Sequence, residues 1–437
     1  MNIKVSNKGS FKDIIPLLVF VITFLGAGIY YGDFYALPSP IAAVMGIIAA
    51  LILLKGNLTS KFDTFLKGCG DGKILTMCII YLLAGAFATV SNAAGSVDAI
   101  VSLGVNYISP SYFAAGVFVM ASFLSFASGT SVGSIVTLAP IVIELANRTD
   151  SPLGLIGAAL LCGAMFGDNL SIISDTTIAA TQSLECEMKD KFKVNFRLAL
   201  PASILTIAAF LIMGYSESST PLVAEKTSIN LLLILPYILV IFLAIKGFHV
   251  FLTLFAGIIV AGVLGLINGS FSLLEFTKLS YEGFISMNEI FILSLLTGGL
   301  AAMVEKAGGI NYILEKINSL ISSKRSAYFG IAGVVSAANL CTANNTIAIL
   351  ISGKVAKEIN DKYHLENKKT ASVLDIFACI VQGLIPYGAQ ILILISLSKF
   401  NIEYLDLLLN SYYLHLLPVI TIVALLLKKN NKLKLIK

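Results

Sequence analysis

The feature that most constrains this chain is a series of apolar segments, each long enough to cross a bilayer, that recur along nearly its whole length. A helix needs about 20 apolar residues to span the hydrocarbon core. Uninterrupted candidates cover residues 14–31, 36–54, 74–92, 198–215, 229–246, 248–267, 287–305 and 411–427. Four further apolar stretches are broken by polar, Gly- or Pro-containing runs. Residues 112–146 carry Ser128-Gly129-Thr130-Ser131-Val132-Gly133, and 327–357 carry Thr342-Ala343-Asn344-Asn345-Thr346. Residues 153–183 contain Gly167-Asp168-Asn169 and Ser174-Asp175-Thr176-Thr177, and 371–398 contain Pro386-Tyr387-Gly388. Irregular polar backbone at membrane depth is tolerated only where it is buried in protein or lines a cavity. Function is therefore expected at these four interruptions.

Charge is correspondingly scarce. Charged residues make up 13% of the 437 and hydrophobic residues 57%, against about 25% charged in soluble domains. With a formal net charge of +5, the composition excludes a soluble multidomain protein, a disordered chain, a coiled coil and a nucleic-acid-binding protein. The expectation is an all-α polytopic membrane protein.

The order of segments repeats. Leu82-Leu83-Ala84-Gly85 through Ala94-Gly95 and Ile100 aligns on Leu295-Leu296-Thr297-Gly298 through Ala307-Gly308 and Ile313. The same offset places Asn147 on Asn360 and brings the Ser-Gly-Thr-Ser and Thr-Ala-Asn-Asn breaks together. Reading 112–146 and 327–357 as re-entrant hairpins, and 153–183 and 371–398 as broken crossing helices, gives two five-crossing repeats. An odd number of crossings makes the repeats inverted relative to each other. The expected organisation is a cytoplasmic N-terminus at 1–13, a first membrane repeat at 14–215, an external linker at 216–228, a second repeat at 229–427 and a basic cytoplasmic tail at 428–437. About ten transmembrane helices and two hairpins result. With this topology 26 of the 30 basic residues fall on the cytoplasmic side, leaving Arg148, Lys226, Lys278 and Lys399 outside, as the positive-inside rule demands. Segments 94–108 and 308–322 read as short surface helices. In the absence of Trp, Tyr30, Tyr31, Tyr35, Tyr412 and Tyr413 are expected in the interfacial aromatic belt.

Other chemistry has little support. The six cysteines include no CxxC pair and read as buried apolar residues, and the three histidines are too far apart for a metal site. Lys4, Lys8 and Lys12 ahead of an apolar run mimic a signal peptide. No A-x-A site follows, and the segment is read as the first retained helix. An intramembrane protease would need aspartates on facing helices or a Ser–His pair; here Asp168 and Asp175 share one segment and the loops are too short for a catalytic domain.

An ionised side chain at the bilayer centre costs roughly 2.5–3.5 kcal/mol on insertion scales, so Asp168 and Asp175 need a reason. With Asn169, Ser174, Thr176 and Thr177 they offer hard oxygen ligands for a small alkali cation; they could also cap half-helices. The hairpin tips, Ser128, Thr130 and Ser131 in one and Thr342, Asn344, Asn345 and Thr346 in the other, supply neutral donors and acceptors near half-helix termini. Glu144 reads either as an intramembrane acid or as a partner of Arg148 at the outer surface. Asp375 fits a functional position and a cytoplasmic edge equally, and Gln382, Tyr387 and Gln390 could line a cavity or bridge helices.

The run Phe166-Gly167-Asp168-Asn169-Leu170-Ser171-Ile172-Ile173-Ser174-Asp175-Thr176-Thr177 closely resembles the signature G-D-x-x-S-P-x-S-D-T-T of NhaC-type sodium/proton antiporters. Ile172 stands where that family often has Pro, so the helix break is expected to rest on Gly167 and the polar residues. The Ser-Gly-Thr-Ser tip and Leu384-Ile385-Pro386-Tyr387 are also similar to that family. The resemblance implies an ion transporter fold of inverted repeats with paired hairpins, a homodimer, and elevator-type movement. It also implies Na+ and H+ as the ions handled, with Asp168 and Asp175 as cation and proton sites. A resident cofactor or metal beyond Na+ is not implied. The expected setting is a prokaryotic cytoplasmic membrane with both termini inside. The alternative is Na+- or H+-coupled transport of a small amino acid or organic acid, for which Asn344-Asn345-Thr346 would make a carboxylate cradle.

Overall fold

The computed structural model describes residues 9–31, 36–107, 109–216 and 230–427. Lys4, Lys8, Tyr35, Lys226, nearly all of the expected external linker and the basic tail lie outside the described residues. Within them there is no strand; the protein is an all-α polytopic membrane protein.

The ten segments read as crossings are each built on one helix or on a broken helix pair. They are α1 (Ile15–Tyr31), α2 (Ser39–Leu53), α4 (Gly72–Ala93), the pair α8 (Leu153–Leu170) and α9 (Asp175–Leu184), and α10 (Met188–Ser216). In the second half they are α11 (Leu235–Ile245), α12 (Val250–Ile267), α14 (Asn288–Ala307), the pair α18 (Asn367–Leu384) and α19 (Ala389–Leu397), and α21 (Tyr412–Leu427). Between α2 and α4 lies α3 (Leu58–Cys69), and between α12 and α14 lies α13 (Leu273–Ser286). The expected surface helices are α5 (Ser96–Tyr107) and α15 (Gly309–Ser319). A short α20 (Tyr404–Asn410) precedes α21 at a bend of 46°.

Both hydroxyl- and amide-broken stretches form helical hairpins, α6 (Phe113–Ser128) with α7 (Ser131–Arg148), and α16 (Lys324–Thr342) with α17 (Asn345–Lys362). Their tips share one device. The first arm ends on a left-handed residue, Gly129 at φ 72° or Ala343 at φ 49°. An extended N-cap then starts the second arm: Thr130 Oγ1 accepts from the Gly133 N–H at 3.2 Å, and Asn344 Oδ1 from the Ile347 N–H at 3.0 Å. The φ of Gly129 carries no Cβ penalty, whereas Ala343 adopts a conformation that costs roughly 1–3 kcal/mol.

Apolar side chains face outward as well as inward: Ile29, Ile52, Ile212 and Ile267 are among the most exposed residues, as a lipid-facing surface requires. The two halves lock reciprocally. A Cβ on Gly85 of α4 would sit 2.0 Å from the Gly283 carbonyl oxygen of α13, and one on Gly68 of α3 would sit 2.5 Å from that of Gly298 of α14. Each half thus lends its short amphipathic helix to the third crossing of the other.

Two expectations change here. Tyr413 is not interfacial: it is fully buried, edge-on to Phe166 at 5.4 Å between centroids. Tyr30 and Tyr31 are exposed. Gly167 does not break its helix. It lies inside α8, where a Cβ would sit 2.4 Å from Ser122 O and 2.6 Å from Phe126 N of α6. Its function is close helix packing, as small residues provide in membranes.

Candidate functional site

The break between α8 and α9 spans Ser171 to Ser174 without a proline. Ser171 turns extended at ψ 133° and Ser174 becomes the extended N-cap of α9. The hydroxyl of Thr177, in the first turn of α9, donates back to the Ser171 carbonyl at 2.8 Å, satisfying an oxygen freed by the break.

Asp168 sits two residues before the end of α8 and is 6% exposed. One carboxylate oxygen accepts from Ser174 Oγ at 2.5 Å; the other accepts from Ser131 Oγ at 2.7 Å, with the Ser131 N–H at 3.4 Å. The carboxylate therefore joins the α9 N-cap to the first residue of α7, between two helix N-termini whose partial positive charge favours an anion. Ser174 Oγ is also 3.0 Å from Thr176 Oγ1. From the second half, Gln390 of α19 donates to Ser131 Oγ at 3.1 Å, and Gln382 of α18 donates to Gln390 at 2.9 Å. The second break, at Pro386 and Tyr387 with Gly388 as N-cap of α19, thus reaches the first hairpin tip.

Beside this cradle lies a charge pair that sequence reasoning missed. Lys191, assigned by its position to the cytoplasmic surface, is 1% exposed on α10 and bridges Asp375 of α18, also 1% exposed, at 2.5 Å. Its ammonium further donates to Thr177 Oγ1 at 2.7 Å and to the Asn169 carbonyl at 3.3 Å. Asn195 donates to Asp375 at 2.9 Å and to the Asn169 carbonyl at 2.9 Å, and Ser372 donates to Asn195. The signal available in the sequence was Asp375 itself, an acid in an apolar helix that needed a cation.

The remaining candidates divide. Asp175, at the first residue of α9, is exposed and stands apart from the Asp168 cradle. Ser128 lies 3.5 Å from Ser134 within its own hairpin. Glu144 pairs with Arg148 at 2.8 Å, and Arg148 also pairs with Asp98, forming a peripheral cluster. At the second hairpin, Thr342 hydrogen-bonds within the tip and Asn345 accepts from the Thr346 N–H at 3.0 Å. Thr342, Asn344 and Tyr387 line a small open pocket with Tyr81, Ser294 and Thr297. Tyr387 is held by its hydroxyl bond to Leu340 O at 2.9 Å. The two hairpin tips therefore serve different surroundings, and among the described residues only the first meets a carboxylate.

Residues 10–215 and 217–429 match the model of the Na+/H+ antiporter family. The chain belongs to this family. Two curated relatives from Bacillus subtilis are similar over most of their length. A malate-2H(+)/Na(+)-lactate antiporter is 22% identical, covering 85% of this chain and 86% of the relative. The Na(+)/H(+) antiporter NhaC is 25% identical, covering 83% and 87%. An arginine/ornithine antiporter of Halobacterium salinarum is 23% identical, covering 84% and 82%. The chain is accordingly a secondary antiporter of the membrane and not an enzyme.

Proposed function

We propose that this chain exchanges Na+ for H+ at Asp168 by alternating access. The observation that carries the reading is a buried carboxylate held by one hydroxyl from a hairpin tip and one from a helix break. A hydroxyl can donate to a carboxylate or turn and present a lone pair to a cation. Ser131 and Ser174 would donate to Asp168 in the absence of sodium and become ligands when it binds, with Thr176 adjacent. Sodium and a proton would compete for the same oxygens, which enforces exchange rather than leak. Asp175, exposed at the start of α9, would serve as an approach residue. The relative named a Na(+)/H(+) antiporter supports this choice of ions.

The surrounding arrangement is part of the proposal. Two inverted five-crossing repeats, joined by the 216–228 linker, would place both termini on the cytoplasmic side of a prokaryotic inner membrane and assemble as a homodimer. The Asp168→Asn variant is expected to abolish sodium-driven proton movement in everted vesicles; exchange at the normal rate would remove Asp168 from the mechanism.

A second reading has its own observation. The pocket at the second hairpin tip sets hydroxyl and amide side chains among apolar ones, and Asp168 is not part of its lining. Relatives named for malate, lactate, arginine and ornithine exchange support coupled transport of a small organic or amino acid. Thermal stabilisation of the purified chain by such an acid, only with sodium present, would favour this reading over simple ion exchange.

A further inference from the structure

The Lys191 ammonium is surrounded as a metal cation would be. Its three oxygen partners are a carboxylate from α18, a hydroxyl from α9 and a backbone carbonyl released where α8 ends, at 2.5, 2.7 and 3.3 Å. Freed carbonyls at the C-terminal ends of half-helices, together with carboxylates, are the donors that hold Na+ in broken-helix transporters. The helix dipole adds negative potential at the Asn169 carbonyl. The side of the site facing Asp375 has further capacity: Asp375 Oδ1 is buried with no hydrogen-bond partner among the described residues. The three oxygens match the three N–H donors of the ammonium, and the same three would serve a free cation as ligands.

We infer that the Lys191 ammonium is the tethered occupant of a second cation site, built by Asp375, Thr177 and the Asn169 carbonyl. Removing the ammonium while leaving space would open that site to a free small monovalent cation. The wild-type chain then has one cation site open to exchange, at Asp168, and a neighbouring one filled permanently from α10. The inference goes beyond the exchange reading and stands without it, because the second site is defined by oxygens that do not include Asp168.

The test uses the purified full chain in detergent. Lys191→Ala leaves room for a cation; Lys191→Met fills the same space with an apolar chain. Both are combined with Asp168→Asn, which removes the first site. The readout is melting temperature against ammonium, methylammonium, Li+ and Na+, with choline as the inert control. Lys191→Ala/Asp168→Asn should show a saturable rise with at least one small cation. Lys191→Met/Asp168→Asn, and Lys191→Ala/Asp168→Asn/Asp375→Asn, should show none. A flat response in Lys191→Ala/Asp168→Asn would overturn the inference. So would failure of Lys191→Ala to fold when prepared in methylammonium, since a free cation should then fill the site. Loss of cation response in Asp168→Asn alone bears on the exchange reading and leaves this one standing.

Discussion

The Asp168 cradle makes a quantitative prediction about its two serines. Each covers one carboxylate oxygen, Ser174 at 2.5 Å and Ser131 at 2.7 Å, and the backbone N–H at 3.4 Å is too long to replace the latter. Hydrogen bonds to charged groups contribute about 1.5–3 kcal/mol. The sodium-free, protonated site also loses a neutral hydrogen bond of about 0.5–1.5 kcal/mol on deletion. If the same hydroxyl oxygens become cation ligands, apparent Na+ affinity falls by the difference of about 1–1.5 kcal/mol, about 5- to 12-fold at about 1.4 kcal/mol per decade. Ser131→Ala and Ser174→Ala should therefore raise the half-saturating Na+ concentration in everted vesicles by that factor. Ser131→Ala should in addition lower the melting temperature more, because Gln390 Nε2 loses its acceptor in a buried site. Such an orphaned donor costs about 1–3 kcal/mol. Ser174→Thr keeps the hydroxyl that covers Asp168 and should stay near wild type. If both alanine variants exchange with unchanged half-saturation, the hydroxyls are not ligands, and the cradle is only structural.

Three further outcomes are expected. Gly167→Ala drives a methyl into backbone atoms of α6, so the helices must part; a loss of about 1–3 kcal/mol and slower exchange are expected in thermal melts and vesicle assays. Lys191→Met strands Asp375 in a site 1% exposed; loss of one partner of a buried pair costs about 3–5 kcal/mol, whereas Lys191→Met/Asp375→Asn should recover most of it, and equal destabilisation of both would contradict the pairing. In a background free of the six native cysteines, Cys at position 278 should react with an impermeant maleimide from outside and Cys at 361 from inside; the reverse pattern would invert the proposed topology.

What the sequence disclosed and what it hid follow from the period each signal needs. Crossings announce themselves through length and apolarity, so α4, α12 and α14 lie within a few residues of the expected spans. Both hairpins and both helix breaks fall at the polar interruptions, because unsatisfied backbone in lipid forces any such run to have a structural purpose. The amphipathic α3 and α13 escaped, since a helix with one apolar face has no long apolar run to find. The different surroundings of Asp168 and Asp175 lie beyond the sequence signal for a related reason. The extended residues from Ser171 to Ser174 reset the helical phase, leaving Asp168 buried and Asp175 exposed. Lys191 was hidden by its neighbours: within a run holding Lys189, Lys193 and Arg197, nothing in composition marks which lysine points inward.

The two breaks repeat the backbone but not the chemistry. Asp168 and Gln382 each lie two residues before their helix ends, at Leu170 and Leu384, and Ser174 and Gly388 are the matching N-caps. An acid and a hydroxyl in the first half thus correspond to an amide and a bare backbone in the second. Yet the second half is not idle at the site. Gln390 reaches Ser131, the residue that holds Asp168, and Asp375 holds the ammonium that contacts Asn169 and Thr177 on either side of the first break. Any motion that separates α18–α19 from α7 and α10 must break both of these links. Ser131, one of the two hydroxyl partners of Asp168, is therefore tied directly to the second half. The exchange proposed at Asp168 needs a link of this kind to the second half, and Gln390 and Asp375 are the side chains placed to supply it.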